Sequence, residues 1–371
     1  MSQNKRVLML LSTNSVKNDE RVIKEAHTLA MIGISVQIHA CENSNAQARY
    51  AIENIPIHLY KCTLKKILGR LHVVELFIRV LLNSKIDRRT SPAVWVHDPI
   101  MFSIIPFLLL LKKLGLIDSI IWDHHELPPK AILKSRTFRK LFSFCARCVD
   151  KNVQANRWRA TLFRRLFLKK AHTKLNVEVI RNFPSQRLFT AKQPDNNIMT
   201  EAPFIYIQSG FGEHRNFSYL RQALKKAATL PIVFSGEVPE DTVFEDFSVP
   251  VTTLGKIPPE QLIWYFQHAA FTVILYNKDF GLNNYYCEPN RLFHAIKHDL
   301  PAIVGSNPPM AKEVSKLKCG LILSDDGTDV QALQESIYVM CHSYGKFKRN
   351  REIEMNWEQQ TPVFKNILAV H

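Results

Sequence analysis

The sequence lacks a long uninterrupted apolar run. Its most apolar stretch, residues 99–111, is broken by Lys112 and Lys113 and falls short of the roughly 18–20 residues that a membrane-spanning helix needs. The polar residues 1–6, followed by a short apolar segment without a cleavage site, predict that no secretory signal is present. We therefore interpret residues 99–111 as a buried helix, with one face near lipid as an open alternative.

A disulfide framework is also absent. The seven cysteines are odd in number and scattered along the chain, which predicts free thiols and a reducing compartment. Cys145 and Cys148 form a single C-x-x-C pair without a second pair or a histidine at ligand spacing, whereas structural zinc sites use four ligands. We interpret the two cysteines as lying on a buried helix face.

Acidic residues are scarce between residues 61 and 170. This stretch contains 23 Lys and Arg against 7 Asp and Glu, which accounts for the whole formal net charge of +16. A basic field in one part of a chain indicates an acidic partner there; a solvated surface without a partner is the alternative. No nucleic-acid recognition module or aromatic platform accompanies the charge. We therefore expect an anionic membrane surface as the partner and no nucleic acid.

Neither a short-period repeat nor a low-complexity tract is present. Instead, short apolar strands alternate with amphipathic helices, first at residues 6–12 and 18–31 and then along both halves. This alternation predicts an α/β fold with parallel sheets covered on both faces. Because 371 residues fit two domains, we predict two doubly wound Rossmann-like domains with a cleft between them.

A polar, aperiodic segment marks the predicted domain boundary. Residues 1–184 are predicted to form the first Rossmann-like domain, 185–203 a linker and 204–345 the second such domain. Residues 346–371 are predicted to end in a helix that packs back toward the first domain. Ligands of open α/β sheets bind at the carboxyl ends of the strands, which directs attention to the residues that follow each predicted strand.

Polar side chains follow two predicted strands of the first half. His97 and Asp98 come at the end of the strand at 93–97, and Glu126 closes the D-H-H-E segment after the strand at 119–122. Imidazoles and carboxylates at strand ends suit acid–base chemistry or the orientation of hydroxyl groups. A zinc site is an alternative use of these residues, but the H-H-E order lacks the spacing of a helical metal motif.

Two loops of the second half suit a phosphate group. Gly210 and Arg215 lie in the G-F-G-E-H-R loop between a predicted strand and helix, where glycines and a helix N-terminus favour pyrophosphate. This loop is neither a G-x-G-x-x-G fingerprint nor a Walker loop; a plain tight turn is the alternative. The second loop leads into a helix, and its polar residues are Glu288, Asn290, Arg291 and His294. A satisfied core histidine is the alternative for His294.

Six segments in register resemble the retaining GT-B glycosyltransferases often called family 4. They are residues 19–26 (D-E-R-V-I-K-E-A), 97–98 (H-D), 122–127 (W-D-H-H-E-L), 179–184 (V-I-R-N-F-P), 255–262 (G-K-I-P-P-E-Q-L) and 284–301. The last is similar to a block of the capsule and surface-polysaccharide members. The resemblance spans most of the chain and implies transfer of a sugar from a nucleotide-sugar donor.

The resemblance also implies roles for the candidate residues. Those of the acceptor-side domain are His97, Asp98 and Glu126. Those of the donor-binding domain are Gly210, Arg215, Lys256, Ile257, Glu288, Asn290, Arg291 and His294. A UDP-sugar is the first expectation for the donor, and no cofactor is expected. The implied acceptor is lipid-linked or a polysaccharide, at the cytoplasmic face of the cell membrane.

The sequence departs from the family at two motifs. The E-x7-E motif is absent, because Tyr286 and His294 occupy its positions, with Glu288 two residues from the first. No D-x-D metal motif is present either, and the D-D-G-T-D segment from Asp325 is interpreted as a late turn. We therefore expect a metal-independent enzyme. A nucleotide-sugar epimerase and a non-catalytic partner subunit of the same fold remain alternatives.

Overall fold

The structure is a computed structural model. It describes residues 5–12, 16, 19–42, 49–52, 54–62, 72–84, 86, 88, 91–168, 177–188, 190–194, 203–208, 211–240, 242–347 and 354–369. The chain divides into two compact units. The first unit consists of Met1–Arg181 and Glu358–His371, and the second unit consists of Asn182–Trp357.

A parallel sheet forms the centre of the first unit. Its strands are β1 (Arg6–Leu11), β2 (Ser35–Glu42), β3 (Arg49–Ile52), β4 (Ile55–Lys61), β5 (Ala93–His97), β6 (Ile120–His124), β7 (Lys151–Gln154) and β8 (Val177–Val179). Their order is β3-β4-β2-β1-β5-β6-β7-β8, and only the β3–β4 pairing is antiparallel among those described. The chain order reverses between β1 and β5, which is the position where ligands bind in such sheets.

Helices cover this sheet: α1 (Glu20–Met31), α2 (His72–Asn83), α3 (Ile105–Lys113), α4 (Lys130–Lys134), α5 (Arg136–Cys148) and α6 (Arg157–Phe167). The strands read as apolar runs because both faces are covered; every residue of β5 is buried. The Asp19 carboxylate accepts a hydrogen bond from the Val22 N–H and so caps the start of α1.

The second unit contains a smaller, fully parallel sheet. Its strands are β9 (Ile205–Gln208), β10 (Ile232–Ser235), β11 (Val251–Thr253), β12 (Phe271–Ile274), β13 (Ala302–Val304) and β14 (Gly320–Ile322), in the order β11-β10-β9-β12-β13-β14. This is the strand order of dinucleotide-binding sheets, with its switch point between β9 and β12. Its helices are α7 (Phe217–Ala227), α8 (Pro259–His268), α9 (Leu282–Tyr285), α10 (Asn290–Lys297), α11 (Pro308–Leu317) and α12 (Val330–Ser343).

The chain finally returns to the first unit as α13 (Thr361–Leu368). Phe364 stacks on the fully buried Trp95 of β5, with ring centroids 5.9 Å apart. The Gln360 side chain accepts a hydrogen bond from the Arg181 N–H and donates another to the Arg181 carbonyl. The first unit is therefore built from two separate segments of the chain.

The predicted fold class, two doubly wound α/β domains, is confirmed, but several elements differ. Strands β3 and β7 were not predicted; β7 (K-N-V-Q) contains a single apolar residue. Residues 99–111 begin as a 3-10 turn, Pro99–Ile104, and then form α3, where Phe107 and Leu110 are half exposed. The prediction that this helix is buried is therefore wrong for one face. Cys145 is buried but Cys148 is exposed, so the prediction that both cysteines lie on a buried helix face is also wrong.

Within the described part of the chain, no helix combines the length and the apolar character that crossing a bilayer requires. One of the amphipathic helices that the alternating pattern predicts spans residues 64–82; it is described from His72 onward, and its first residues lie outside the described part. The same holds for much of the predicted linker at 185–203.

Candidate functional site

Five ionisable side chains meet at the carboxyl ends of β5 and β6. This buried charge cluster consists of Arg21, Glu25, His97, Asp123 and His125. Arg21 and Glu25 lie one turn apart on α1, and their side chains approach to 3.0 Å. The Arg21 guanidinium donates two hydrogen bonds to the Asp123 carboxylate, each 3.0 Å long. Such a bidentate pair is the strongest geometry for this interaction, so it fixes α1 against the end of β6.

Two imidazoles lie side by side in the cluster. His97 Nδ1 is 3.1 Å from His125 Nε2, which is also 3.2 Å from Asp123 Oδ2. Burial and the neighbouring His125 lower the pKa of His97 well below its usual value. Burial opposes the charge on His125, but the carboxylates of Asp98 and Asp123 outweigh it and raise its pKa to about 10. At neutral pH, His97 is neutral and His125 is charged.

The carboxyl groups of the cluster differ in charge. Burial, and then the nearby Asp123 carboxylate, raise the pKa of Glu25 well above its usual value. Burial also opposes the ionisation of Asp123, but Arg21 and His125 outweigh it and hold the pKa of Asp123 well below its usual value. Asp123 is therefore the more acidic of the two carboxyl groups, as expected for two carboxyls that share one site.

Asp98 has a strained backbone beside this cluster. Its φ of 71° lies in the left-handed region, which costs a non-glycine residue of order 1–3 kcal/mol and occurs mainly at functional sites. The Asp98 N–H donates to the Asp123 carbonyl, and the Asp98 carbonyl accepts from the Trp122 indole. Burial raises the pKa of the Asp98 carboxyl to about 6. Both hydrogen bonds involve main-chain atoms of Asp98, so they fix its backbone beside the end of β6.

The three predicted acceptor-side residues differ in accessibility. The Asp98 side chain is 31% exposed and Glu126 is exposed, whereas His97 has no exposed surface. The structure therefore brings His97 and Asp98 together around His125 and places His97 behind that ring. Arg21, Glu25 and His125 were not among the predicted site residues, although all three lie within the segments that carry the family resemblance.

In the second unit, two arginines flank one aromatic ring at the β9–β12 switch point. The Arg215 guanidinium lies 3.6 Å from the Tyr276 ring centroid, and that of Arg291 lies 4.9 Å from it. Arg291 is buried and donates to the carbonyls of Gln208 and Leu275. Burial lowers its pKa to about 10. Arg291 thus ties the first turn of α10 to β9 and β12, and Arg215 stays half-buried above the ring.

The loops beside these arginines are tied together by buried polar groups. Asn216, with a left-handed φ of 53°, donates from its side chain to the Asp326 carbonyl. The Asp326 carboxylate accepts from the Lys278 N–H, and the Lys278 ammonium donates to Ser306. Asp326 belongs to the segment interpreted as a late turn. It organises the loops that follow β9, β12 and β13.

The remaining predicted donor-binding residues occupy different places. Glu288 is buried, and Asn290 is half-buried in the first turn of α10. His294 stacks on Phe266, with ring centroids 5.7 Å apart. Ile257 packs against the apolar core around Tyr265. Gly210 lies outside the described residues. Lys256 is exposed after β11, where it pairs with Glu237.

Among known proteins, no family model and no curated protein matches the chain, but solved structures do. Sucrose-phosphate synthase from Thermosynechococcus elongatus is similar over 99% of this chain and 95% of its own, with a TM-score of 0.69 and 13% identity. HepE of Anabaena in complex with UDP and glucose is similar over 99% and 97%, with a TM-score of 0.64 and 12% identity.

A third similar structure is WaaB, a lipopolysaccharide outer core galactosyltransferase in its apo form. It matches over 99% of this chain and 98% of its own, with a TM-score of 0.60 and 14% identity. At such identities the likeness concerns the fold. The chain therefore has the two-domain α/β architecture of the GT-B glycosyltransferases.

Proposed function

We propose that this protein is a glycosyltransferase that binds a nucleotide-sugar donor in its second unit. The observation that carries the proposal is the arginine pair around Tyr276 at the β9–β12 switch point. Negative charge builds on the leaving diphosphate as the glycosidic bond breaks, and a preorganised cation stabilises that charge. Arg215 is the half-buried member of the pair. The HepE structure with UDP and glucose supports UDP-sugars as the first donors to test.

Donor binding in this proposal uses neither a metal ion nor a cofactor. Arg215 supplies a fixed positive charge, and the N-terminus of α10, which begins at Asn290, supplies backbone N–H groups and a favourable helix dipole. The diphosphate would therefore be neutralised by the protein itself.

Nucleotide binding tests the donor site. Thermal unfolding is measured with UDP, GDP or CMP and their sugars, in EDTA. A ligand at 100 times its Kd stabilises by about 2.7 kcal/mol, so one nucleotide class is expected to raise Tm visibly. Arg215→Ala is expected to weaken that binding roughly 10- to 100-fold, because a charge-assisted hydrogen bond contributes about 1.5–3 kcal/mol.

The matched control is Lys226→Ala, which removes one positive charge from an exposed position on α7 and is expected to bind like the parent. If Arg215→Ala also binds like the parent, the diphosphate lies elsewhere. If no nucleotide stabilises the protein, a non-catalytic partner subunit is favoured. Consumption of the donor without any acceptor would instead favour an epimerase.

We propose that the acceptor is a lipid-linked saccharide or a polysaccharide. It would bind to the first unit beside Asp98 and Glu126. Both carboxyl groups reach the surface, so they can accept hydrogen bonds from sugar hydroxyls. His125 lies 3.6 Å from the Asp98 carboxyl, and the buried His97 contacts His125. In this proposal His97 is a positioning residue that acts through His125.

Exposed apolar side chains on three helices support a membrane location for that acceptor. This apolar patch consists of residues that are each at least 42% exposed: Ile78, Leu82, Phe107, Leu110, Leu114, Phe138, Leu141 and Phe144. The rings of Phe77 and Phe107 join α2 to α3 at 6.2 Å, and α3 contacts α5. Exposed apolar side chains concentrated on neighbouring helices are typical of interaction surfaces, including membrane-binding ones.

Basic residues lie on two of the helices that carry the apolar patch, α3 and α5, and on α6. Lys112 and Lys113 end α3, and a groove of 670 Å³ between α5 and α6 is lined by Arg139, Lys140, Arg147 and Arg165 among others. Apolar and cationic side chains on one surface suit the interface of an anionic bilayer. We infer peripheral association with the cytoplasmic face of the cell membrane, in surface-polysaccharide synthesis.

Vesicle sedimentation tests this association. The protein is expected to sediment with vesicles that contain anionic lipid at low salt and to be released at 1 M salt, where charges are screened within about 3 Å. The double variant Phe107→Glu/Leu110→Glu is expected to lose at least about tenfold in binding, because buried apolar area is replaced by two negative charges. Its control is Tyr338→Glu/Val339→Glu, an equally exposed apolar pair in the second unit. The proposal would be contradicted if the amount of protein that sediments with the vesicles did not change with salt, or if it were equal for the two double variants.

A further inference from the structure

The buried charge cluster also brings several potential metal ligands close together. Four of its residues converge: Glu25, His97, Asp123 and His125 each contribute one potential ligand atom, and these atoms all lie within 4.8 Å of one another. His97 Nδ1 is 3.1 Å from the His125 atom, 3.7 Å from the Asp123 atom and 3.8 Å from the Glu25 atom. From Asp123 Oδ2 to His125 Nε2 the distance is 3.2 Å.

The four separations given above, 3.1–3.8 Å, are close to those of a four-coordinate metal site. A tetrahedral zinc ion, with bonds of about 2.0–2.2 Å to nitrogen and oxygen, places its ligand atoms about 3.3 Å apart. We propose that Glu25, His97, Asp123 and His125 bind one divalent transition-metal ion, with Zn²⁺ as the best match. Two imidazoles and two carboxylates without a thiolate form a donor set that suits zinc and its first-row neighbours.

The burial of Glu25 is an independent argument for a ligand. Glu25 has a relative exposure of 0%, and its Oε2 has no hydrogen-bond partner within the described structure, whereas Oε1 lies 3.0 Å from Arg21 Nε. A buried polar group without a partner costs about 1–3 kcal/mol. Oε2 faces His97 Nδ1 across 3.8 Å. An ion bound there would bring the Glu25 carboxylate into contact with the other three ligands.

The surroundings of the four atoms resemble a second coordination shell. Arg21 donates to both oxygens of Asp123; because a carboxylate oxygen has two lone pairs, Oδ2 can still bind a metal. On the far side of the His125 ring, Nδ1 lies 3.6 Å from Asp98 Oδ1, an arrangement that fixes the orientation of metal-binding imidazoles. Metal binding would displace the proton of His125 and engage Glu25 as a carboxylate. The charges of Arg21, the carboxylates of Glu25, Asp98 and Asp123, and a divalent ion then sum to zero.

Four protein ligands leave no coordination position open, which is the pattern of structural rather than catalytic zinc. Glu25 comes from α1, His97 from β5, and Asp123 and His125 from the end of β6. The ion would link three elements of the first unit and need not take part in sugar transfer. It is therefore compatible with a donor site that requires no metal.

Metal binding is measured on the full chain after stripping with a chelator. Zn²⁺ titration followed by elemental analysis is expected to give one ion per chain and a higher Tm. Co²⁺ is expected to give the intense visible absorption of a four-coordinate ion. Glu25→Gln, which preserves the shape of the side chain, is expected to weaken binding at least about 100-fold, since loss of an outer-shell partner alone costs about 10- to 100-fold.

His125→Ala is expected to weaken binding equally, and circular dichroism shows whether each variant is folded. The control His342→Ala removes an exposed histidine of the second unit and is expected to bind like the parent. No stoichiometric ion, or an ion whose affinity is unchanged in folded Glu25→Gln, would overturn the proposal. The change in Tm that nucleotides produce is measured in EDTA, where no metal is bound. The test of the donor site therefore does not depend on the outcome of the metal-binding test.

Discussion

Replacing Arg21 with methionine is expected to destabilise the first unit by about 3–5 kcal/mol, the cost of leaving a buried charge without its partner. Arg21 forms a bidentate pair with Asp123 and donates to the Ile180 carbonyl. Methionine keeps much of the volume of the side chain but provides none of these donors. Asp123 would then stay fully buried without its bidentate partner, with His125 3.2 Å away as its remaining cationic neighbour in the cluster. Denaturant unfolding in EDTA measures the loss without any contribution from metal.

The chain offers a matched control on α2. Arg79 pairs with Glu75 one turn away, just as Arg21 pairs with Glu25, but Arg79 is 34% exposed. Arg79→Met is expected to cost less than about 0.5 kcal/mol, because such surface pairs contribute little. The double variant Arg21→Met/Asp123→Asn is expected to recover part of the stability. If it is no more stable than Arg21→Met, the unpaired charge is not the cause.

Much of the fold could be predicted from the sequence because its strands are buried on both faces. Such strands read as continuous apolar runs, and β1, β5 and β12 show them clearly. The missed strand β7 is the instructive exception. Its buried side chains include Asn152 and Gln154, and Asn152 bonds to His124 and to the Ala146 carbonyl. A polar strand of this kind is stabilised by tertiary partners, and these are not visible in a local pattern.

The candidate site shows a similar limit. His97 and Asp98 stand at the end of a predicted strand, so their placement followed from the parallel topology. Arg21 and Glu25 occur one helical turn apart on α1, which places them on one face of that helix. Nothing in that spacing identifies the strand ends that they meet. The metal-ligand set comes from three elements, which is why the H-H-E order carried no metal motif.

In the second unit the sequence identified Arg215 and Arg291 but not their shared partner. Tyr276 lies two residues after β12, and an aromatic residue there is equally compatible with core packing. Tyr276 is buried and so contributes to core packing. Its ring also lies next to the guanidinium groups of Arg215 and Arg291. A cation above an aromatic face is stabilised by about 0.5–2 kcal/mol. Tyr276 therefore helps to hold Arg215 in the orientation that the proposed diphosphate requires.

Gly320→Ala is expected to destabilise the second unit by about 3 kcal/mol or more. Gly320 begins β14 and pairs with Ala302 of β13. A Cβ at Gly320 would lie 1.9 Å from the Ala302 carbonyl oxygen and 2.8 Å from its carbonyl carbon. These are backbone atoms within a sheet, so they cannot move aside as a flexible side chain would. Overpacking of this kind costs about 1–3 kcal/mol even where side chains can adjust.

Thermal unfolding measures this effect, since about 1 kcal/mol corresponds to roughly 2–4 °C in a unit of this size. Gly320→Ala is therefore expected to lower Tm by about 6 °C or more. Gly345→Ala is the matched control, because a Cβ at Gly345 meets no atom within 4 Å and glycine is conformationally freer than alanine in the unfolded chain. Gly345→Ala is expected to leave Tm unchanged or slightly raised. Equal Tm values for the two variants would mean that β14 does not pack against β13 as closely as these distances indicate.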